Sequence, residues 1–198
     1  MKYGVLLTRA QPFHEGHVEV VKQALSENDR VLIVIGSANK LETERNPFHV
    51  AFRRIIIRSA LHDHGITASA INDHNVACDV KIMTLADWSK EDAYQYAKEW
   101  GNFFYYNVVN AIVSKSFTLY YNDDTEVVKN WFTPELLERI TIKHAERTRD
   151  VSSTKIREAI LSSDMEYLKD NLSPSVLSQY DKMREKLLKC ENEDFIMN

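Results

Sequence analysis

The sequence predicts an α/β protein built on a doubly wound parallel sheet closed by C-terminal helices. Three observations carry that expectation. Tyr3 to Thr8 and residues 31–35 are apolar runs without alternation, the pattern of strands buried on both faces. Between them, residues 17–25 place Val18, Val21 and Leu25 on one helical stripe. Strand, helix and strand together take ~30 residues, the length of a parallel pair joined by a right-handed crossover.

The remaining elements follow in kind. Gln11-Pro12-Phe13 breaks the first strand, Asn28-Asp29 turns the chain, and Gly36 stops the second strand. Pro47 is placed to open a helix through Phe52, Ile55, Ile56 and Leu61, with Gly65 as its stop. Residues 66–77 show no periodicity and read as a long loop. Residues 80–85 read as a strand, 91–100 as a polar-aromatic helix, and 111–113 as a short strand. A weaker helix is expected over 123–132 and a strand over 139–143. Residues 152–161 form a helix with a strong start, and a charged helix runs from Ser173 to about Cys190. Neither a repeat nor a linker is evident. One domain is therefore expected over 1–198, with a core over about 1–163 and a helical segment over about 164–198.

Composition excludes several classes. At 198 residues, 44% apolar and 27% charged, the chain has the length and balance to bury a core. No apolar run approaches the ~18 residues of a membrane span. The N-terminal run closes at Thr8-Arg9, without the length or cleavage site of a signal peptide. Two cysteines give no disulfide framework, which suits a cytoplasmic protein with no membrane partner. A net charge of −4 and the lack of a basic-aromatic platform argue against a nucleic-acid partner. Local donors must then hold any anionic ligand. Arg53, Arg54 and Arg58 form one basic cluster, and Lys143, Arg147, Arg149, Lys155 and Arg157 another, although such runs also serve as solvated faces.

Ligands of open parallel sheets bind beyond the carboxyl ends of the strands, and the segments expected there are rich in suitable groups. The first, residues 8–17, sets His14 and His17 three apart at a helix N-terminus, where free amides and the helix dipole attract anions. Gly16 allows close backbone approach. His-Glu-Gly-His is one residue short of the zinc-protease pattern His-Glu-x-x-His, so its rings do not align for that metal site. In the second, Gly36, Ser37 and Asn39 suit a turn that offers amides to a ligand, and an ordinary turn reads as well. In the third, Asn46-Pro47-Phe48 precedes Arg53, which is placed either to reach a phosphate or to form a surface salt bridge. The fourth, Ser152, Ser153 and Thr154 with Arg157 a turn later, is a strong N-cap. Its spare hydroxyls and guanidinium also make a pocket for polyphosphate.

Together these residues resemble the HxGH nucleotidyltransferase superfamily, which implies a Rossmann-like sheet. His14-x-Gly16-His17 carries the first motif, and residues 151–157 look like the ISSTxxR loop, about 135 residues further on. Within the superfamily the chain is most similar to archaeal-type nicotinamide mononucleotide (NMN) adenylyltransferases. Their opening reads like Arg9-x-Gln11-Pro12-Phe13-His14-x-Gly16-His17, and their later segments resemble residues 36–40 and 46–48 with Arg53. The likeness is dense over residues 1–60, thin over about 66–140 and returns at 144–160. Two departures stand out. Thr8-Arg9-Ala10 replaces the usual Gly-Arg-Phe, which removes a ring near the nucleotide. The Asp-aromatic pair that stacks on nicotinamide has two counterparts, since Trp88 adjoins Asp87 whereas Tyr94 has the better spacing.

The resemblance implies transfer of AMP from ATP to NMN, giving NAD and pyrophosphate. The attacking phosphate oxygen is already anionic at neutral pH, its second pKa being ~6, so no protein nucleophile is required. By resemblance His17 contacts the α-phosphate and His14 its neighbours. Ser152, Ser153, Thr154 and Arg157 hold the β and γ phosphates. Arg9 and Arg53 bind further phosphate oxygens, and Gln11, Gly16, Gly36, Ser37, Asn39 and Asn46 complete the nucleotide site. Mg²⁺ would bridge phosphate oxygens without a dense protein cage. ATP, NMN or nicotinate mononucleotide, and NAD are the expected small-molecule partners, and the tail from Tyr180 suits either packing or a homo-oligomer contact. Two other readings stay open: a different acceptor or CTP-using relative (phosphopantetheine or flavin mononucleotide as acceptor), and a nucleotide sensor without turnover.

Overall fold

The computed structural model describes residues 1–73, 77–87, 97–121, 125–146 and 148–196. In chain order, β1 (Tyr3–Thr8) leads through α1 (Glu15–Glu27) to β2 (Arg30–Ile35), and α2 (Val50–Asp63) leads to β3 (Ala68–Ala70) and β4 (Val80–Thr84). Next come α3 (Ala97–Ile112), β5 (Phe117–Tyr121), α4 (Thr125–Lys129), α5 (Pro134–Leu137) and β6 (Ile140–His144). The chain ends in α6 (Ser153–Ser162), α7 (Met165–Asn171), α8 (Pro174–Leu177) and α9 (Tyr180–Ile196).

The six strands form one parallel sheet in the order β3-β4-β2-β1-β5-β6. Alternate side chains of the unbroken apolar runs feed two cores. Leu6, Ile33 and Ile35 pack with Val18 of α1, Ile56 of α2, Ile156 of α6 and Met183 of α9. Val5, Leu32 and Val34 face the other way, against Phe104 and Val108 of α3 and Val128 of α4. Burial of each such side chain favours folding by ~1.5–3 kcal/mol, so both sheet faces hold the central strands in place. No helix among the described residues is long and apolar enough to cross a membrane.

Several expectations need correction. The loop expected at 66–77 contains β3, an edge strand of three small residues that has no periodicity to read. The strand expected at 111–113 is instead the end of α3 and its exit: Val113 is 91% exposed with φ +53°. The strand of that region is β5, whose Phe117, Leu119 and Tyr120 are buried. Helix α2 begins at Val50, capped by His49, so Pro47 lies before it and Ile55 faces solvent at 52% exposure. The charged C-terminal helix is two elements, α8 and α9, preceded by α7. Of the helix expected at 91–100, residues 91–96 lie outside the described residues, and α3 runs on to Ile112.

The topology also fixes where a ligand fits. From β1 the chain proceeds to β2 on one side, and only later, through β5, to the other side of β1. The crevice beyond the carboxyl end of β1 is therefore a topological switch point.

Candidate nucleotide site

At the end of β1 the backbone turns into α1, with His14 as the N-cap in an extended conformation. The His14 backbone N–H donates to His17 Nδ1 at 3.2 Å, and His17 Nε2 lies 3.0 Å from Thr8 Oγ1. Because Nδ1 accepts, a neutral His17 carries its proton on Nε2 and donates it to Thr8. Stacking on buried Phe13, at 4.7 Å between centroids, fixes the ring plane. Gly16 brings the second motif close: a Cβ there would meet Val151 Cγ1 at 2.8 Å.

The ISSTxxR-like segment forms the N-terminus of α6. Ser152 Oγ accepts from the Lys155 N–H at 3.2 Å, so this hydroxyl is the helix cap. Ser153 Oγ donates to Pro12 O at 3.0 Å, and Arg157 donates to Gln11 O at 2.9 Å and to Thr154 Oγ1 at 3.4 Å. These bonds stitch residues 11–12 to the first turns of α6. His14, His17, Ser152, Ser153, Thr154 and Arg157 consequently line a single open cleft of about 390 Å³.

A second set of bonds shapes the loops after β1 and β2. Arg53 is fully buried and donates to three carbonyls: Arg9 O (2.9 Å), Gly36 O (2.9 Å) and Ser37 O (3.0 Å). Burial pushes its guanidinium down to about 10, leaving it charged at neutral pH. Both loops hold a residue in the left-handed region, Ala10 at φ +50° and Ser37 at φ +48°. Such conformations cost ~1–2 kcal/mol for residues other than glycine, and the Arg53 fork grips the carbonyls beside them. Gln11 acts similarly, its carboxamide pairing with Phe48 N–H (2.9 Å) and Phe48 O (3.1 Å). Asn39 pairs with the Asp87 backbone at 2.8 and 3.3 Å, and buried Asn46 bonds to Thr43. Arg53, Gln11 and Asn39, read from sequence as ligand contacts, are thus committed to backbone groups here.

The charge left on the cleft wall is positive. Arg9, Arg45 and Arg157 line it, and Asp87 is the one carboxylate among the described lining residues. The Arg9 pKa is lowered by burial and by the nearby positive charges of Arg45 and Arg157. Burial likewise lowers that of Arg157. Crowded cations beside a helix N-terminus form a receptor for polyanions.

A family model for cytidylyltransferase-like proteins matches residues 5–159. The chain belongs to the cytidylyltransferase-like family. Curated relatives match part of the chain. A nicotinamide-nucleotide adenylyltransferase of Picrophilus torridus is 46% identical over 61 residues, 31% of this chain and 36% of that protein. One of Thermoplasma acidophilum is 46% identical over 65 residues, 33% of this chain and 36% of that protein. The matches therefore span little more than a third of those relatives. A bifunctional NMN adenylyltransferase/ADP ribose pyrophosphatase from Francisella tularensis, solved with AMP and a Mn ion, superimposes with a TM-score of 0.65. It is 20% identical and covers 99% of this chain and 54% of that one, a likeness of fold.

This cytidylyltransferase-like chain has site features that its motifs do not announce. Trp100, Tyr121 and Trp131 form an aromatic wall on the cleft. Trp131 meets Trp100 edge-on at 5.0 Å and Tyr121 edge-on at 5.6 Å, and Trp100 stacks on Phe104. Gly101 makes the wall possible, because a Cβ there would fall inside the Trp131 carbonyl. Arg45 and Thr8 also escaped the sequence reading as site residues. No local spacing links the three rings to the motifs, and they reach the cleft only because β5 lies beside β1. Trp88 and Tyr94, the expected nicotinamide contacts, lie outside the described residues.

Proposed function

We propose that the chain is a nicotinamide-nucleotide adenylyltransferase, transferring AMP from ATP to NMN with formation of NAD and pyrophosphate. One observation carries the reading: the two motif histidines share a cleft with the N-terminus of α6, held there by the Ser153–Pro12 and Arg157–Gln11 bonds. The names of the Picrophilus and Thermoplasma relatives support it. So does the pairing of a cationic wall for phosphates with an aromatic wall for a planar base.

In this reading the His14 ring and the Thr8-bound His17 ring lie against the phosphates nearest the reacting phosphorus, and Arg9 and Arg157 hold the outer ones. The protein's work is to align two polyanions and to stabilise charge on the leaving pyrophosphate. Mg²⁺ enters as part of the ATP substrate, its oxygens coming mainly from phosphate, since the described cleft residues offer one carboxylate. Both cysteines are buried thiols, which fits the cytoplasmic location that goes with the reading.

The test is direct: incubate the protein with MgATP and NMN, and in parallel with nicotinate mononucleotide, and resolve dinucleotide and pyrophosphate. Equimolar NAD and pyrophosphate are expected. Nucleotide binding with no dinucleotide from either acceptor would overturn the proposal.

A further inference from the structure

We infer that Thr8 is a ligand-binding residue of this site, donating its hydroxyl proton to an anionic oxygen in the cleft, and that it also fixes the His17 ring for the same ligand. Thr8 ends β1 and lines the cleft beside His17. Its γ-oxygen accepts from the Ala10 N–H at 3.0 Å and, given the tautomer set by His14, from His17 Nε2–H at 3.0 Å. A hydroxyl oxygen has two lone pairs and one proton. Both lone pairs are engaged, so its remaining capacity is to donate, and the hydrogen bonds of the described residues give that proton no acceptor.

A partner with oxygens and no proton of its own suits such a group, and phosphate is the chemical class that fits a wall carrying Arg9, Arg45 and Arg157. The result is a relay from His14 N–H to His17, from His17 to Thr8 and from Thr8 to ligand, in which each donor polarises the next. Glycine, usual at this place in the family the chain resembles, offers no such hydroxyl. Naming the anion as a phosphate of ATP rests on the adenylyltransferase reading; the relay within the protein does not.

Thr8→Val keeps the side-chain shape and removes the hydroxyl, and Thr8→Ser restores it. In ligand-free protein, ¹⁵N NMR of the histidine rings is expected to show His17 protonated on Nε2 in wild type and Thr8→Ser, with that signal displaced in Thr8→Val. By calorimetry, Thr8→Val is expected to bind MgATP about tenfold more weakly, and Thr8→Ser nearly as wild type. Unchanged MgATP affinity in Thr8→Val overturns the ligand-binding assignment, and an unmoved His17 signal overturns the relay. If Thr8→Val does not fold, wild type decides: titrated MgATP must move the Thr8 methyl and His17 ring signals along one curve, and stationary signals overturn the inference. Wild type that binds MgATP but forms no dinucleotide defeats the functional proposal, whereas the Thr8 measurements are still decided by binding.

Discussion

Two clasps hold the loop after β1, one on each side, and each is built around an arginine. On the β2 side Arg53 is wholly buried and grips three carbonyls. On the β5 side Arg157 is only half-buried, holds the Gln11 carbonyl and a hydroxyl, and faces the cleft. Both sit within the first turns of a helix next to a phosphate-type loop, so the sequence assigns them similar work. Burial separates them. A guanidinium sealed among carbonyls stabilises loop shape, whereas one left at the cleft keeps N–H groups for a ligand.

The largest expected effect tests the buried clasp. Arg53→Met leaves three carbonyls without their donor, each costing ~1–3 kcal/mol when buried. Urea denaturation should show a loss of roughly 3 kcal/mol or more. A variant as stable as wild type that no longer binds MgATP would return Arg53 to a phosphate-binding role and erase the contrast.

His17 stands between the clasps. By analogy with oxyanion donors worth ~2.7–4 kcal/mol, His17→Ala should cut kcat by ~10²–10³ while the protein stays folded. Normal turnover would remove the ring from the chemistry. Arg157→Ala sharpens the comparison from the other side. MgATP binding should weaken roughly ten- to a hundredfold, with a much smaller change in the urea midpoint than Arg53→Met gives. The reverse ordering of the two arginines would show that exposure is the wrong criterion.

The smallest effect concerns the outer part of the β5-side clasp, where Glu19 of α1 bonds to Thr148 and Arg149. Partial burial pushes the Glu19 carboxyl up, but the bonds from Thr148 and Arg149 outweigh it and set its pKa below the usual 4.5. A depressed carboxyl pKa adds stability that is complete above the unfolded value and lost as pH falls through the folded one. Glu19→Gln should therefore lower stability at neutral pH and flatten the acid limb below about pH 4.5. Solvent screening keeps the difference under about 1 kcal/mol. An identical acid limb in the variant would show that the outer bonds do not hold the loop.

Elements buried by one chain segment's own pattern were legible in the sequence: the unbroken runs of β1 and β2, the stripe of α1, the capped start of α6. Those that owe their existence to neighbours were not. β3 is Ala-Ser-Ala, held to β4 by the sheet edge and not by any pattern of its own. Residues 111–112 are apolar enough for a strand, but they finish a helix whose length is set by packing on β5. The site divides along the same line. His14, Gly16, His17 and the hydroxyl run announce themselves by spacing, whereas Arg45, Trp100, Trp131 and the Thr8 hydroxyl become a site only through strand order. The commitment of Gln11 and Arg53 to backbone carbonyls also needed coordinates, since amide and guanidinium groups serve ligands and loops equally well.

Gly101 sets the position of the aromatic wall without touching anything that binds. Where α3 meets Trp131 the seam is backbone against backbone, so its width is the least that two chains permit. Growth at that one position would pry helix and turn apart and widen the cavity mouth before a single ligand-facing atom had changed. The shape of the cleft can thus be retuned from behind, by a residue that does not itself line it.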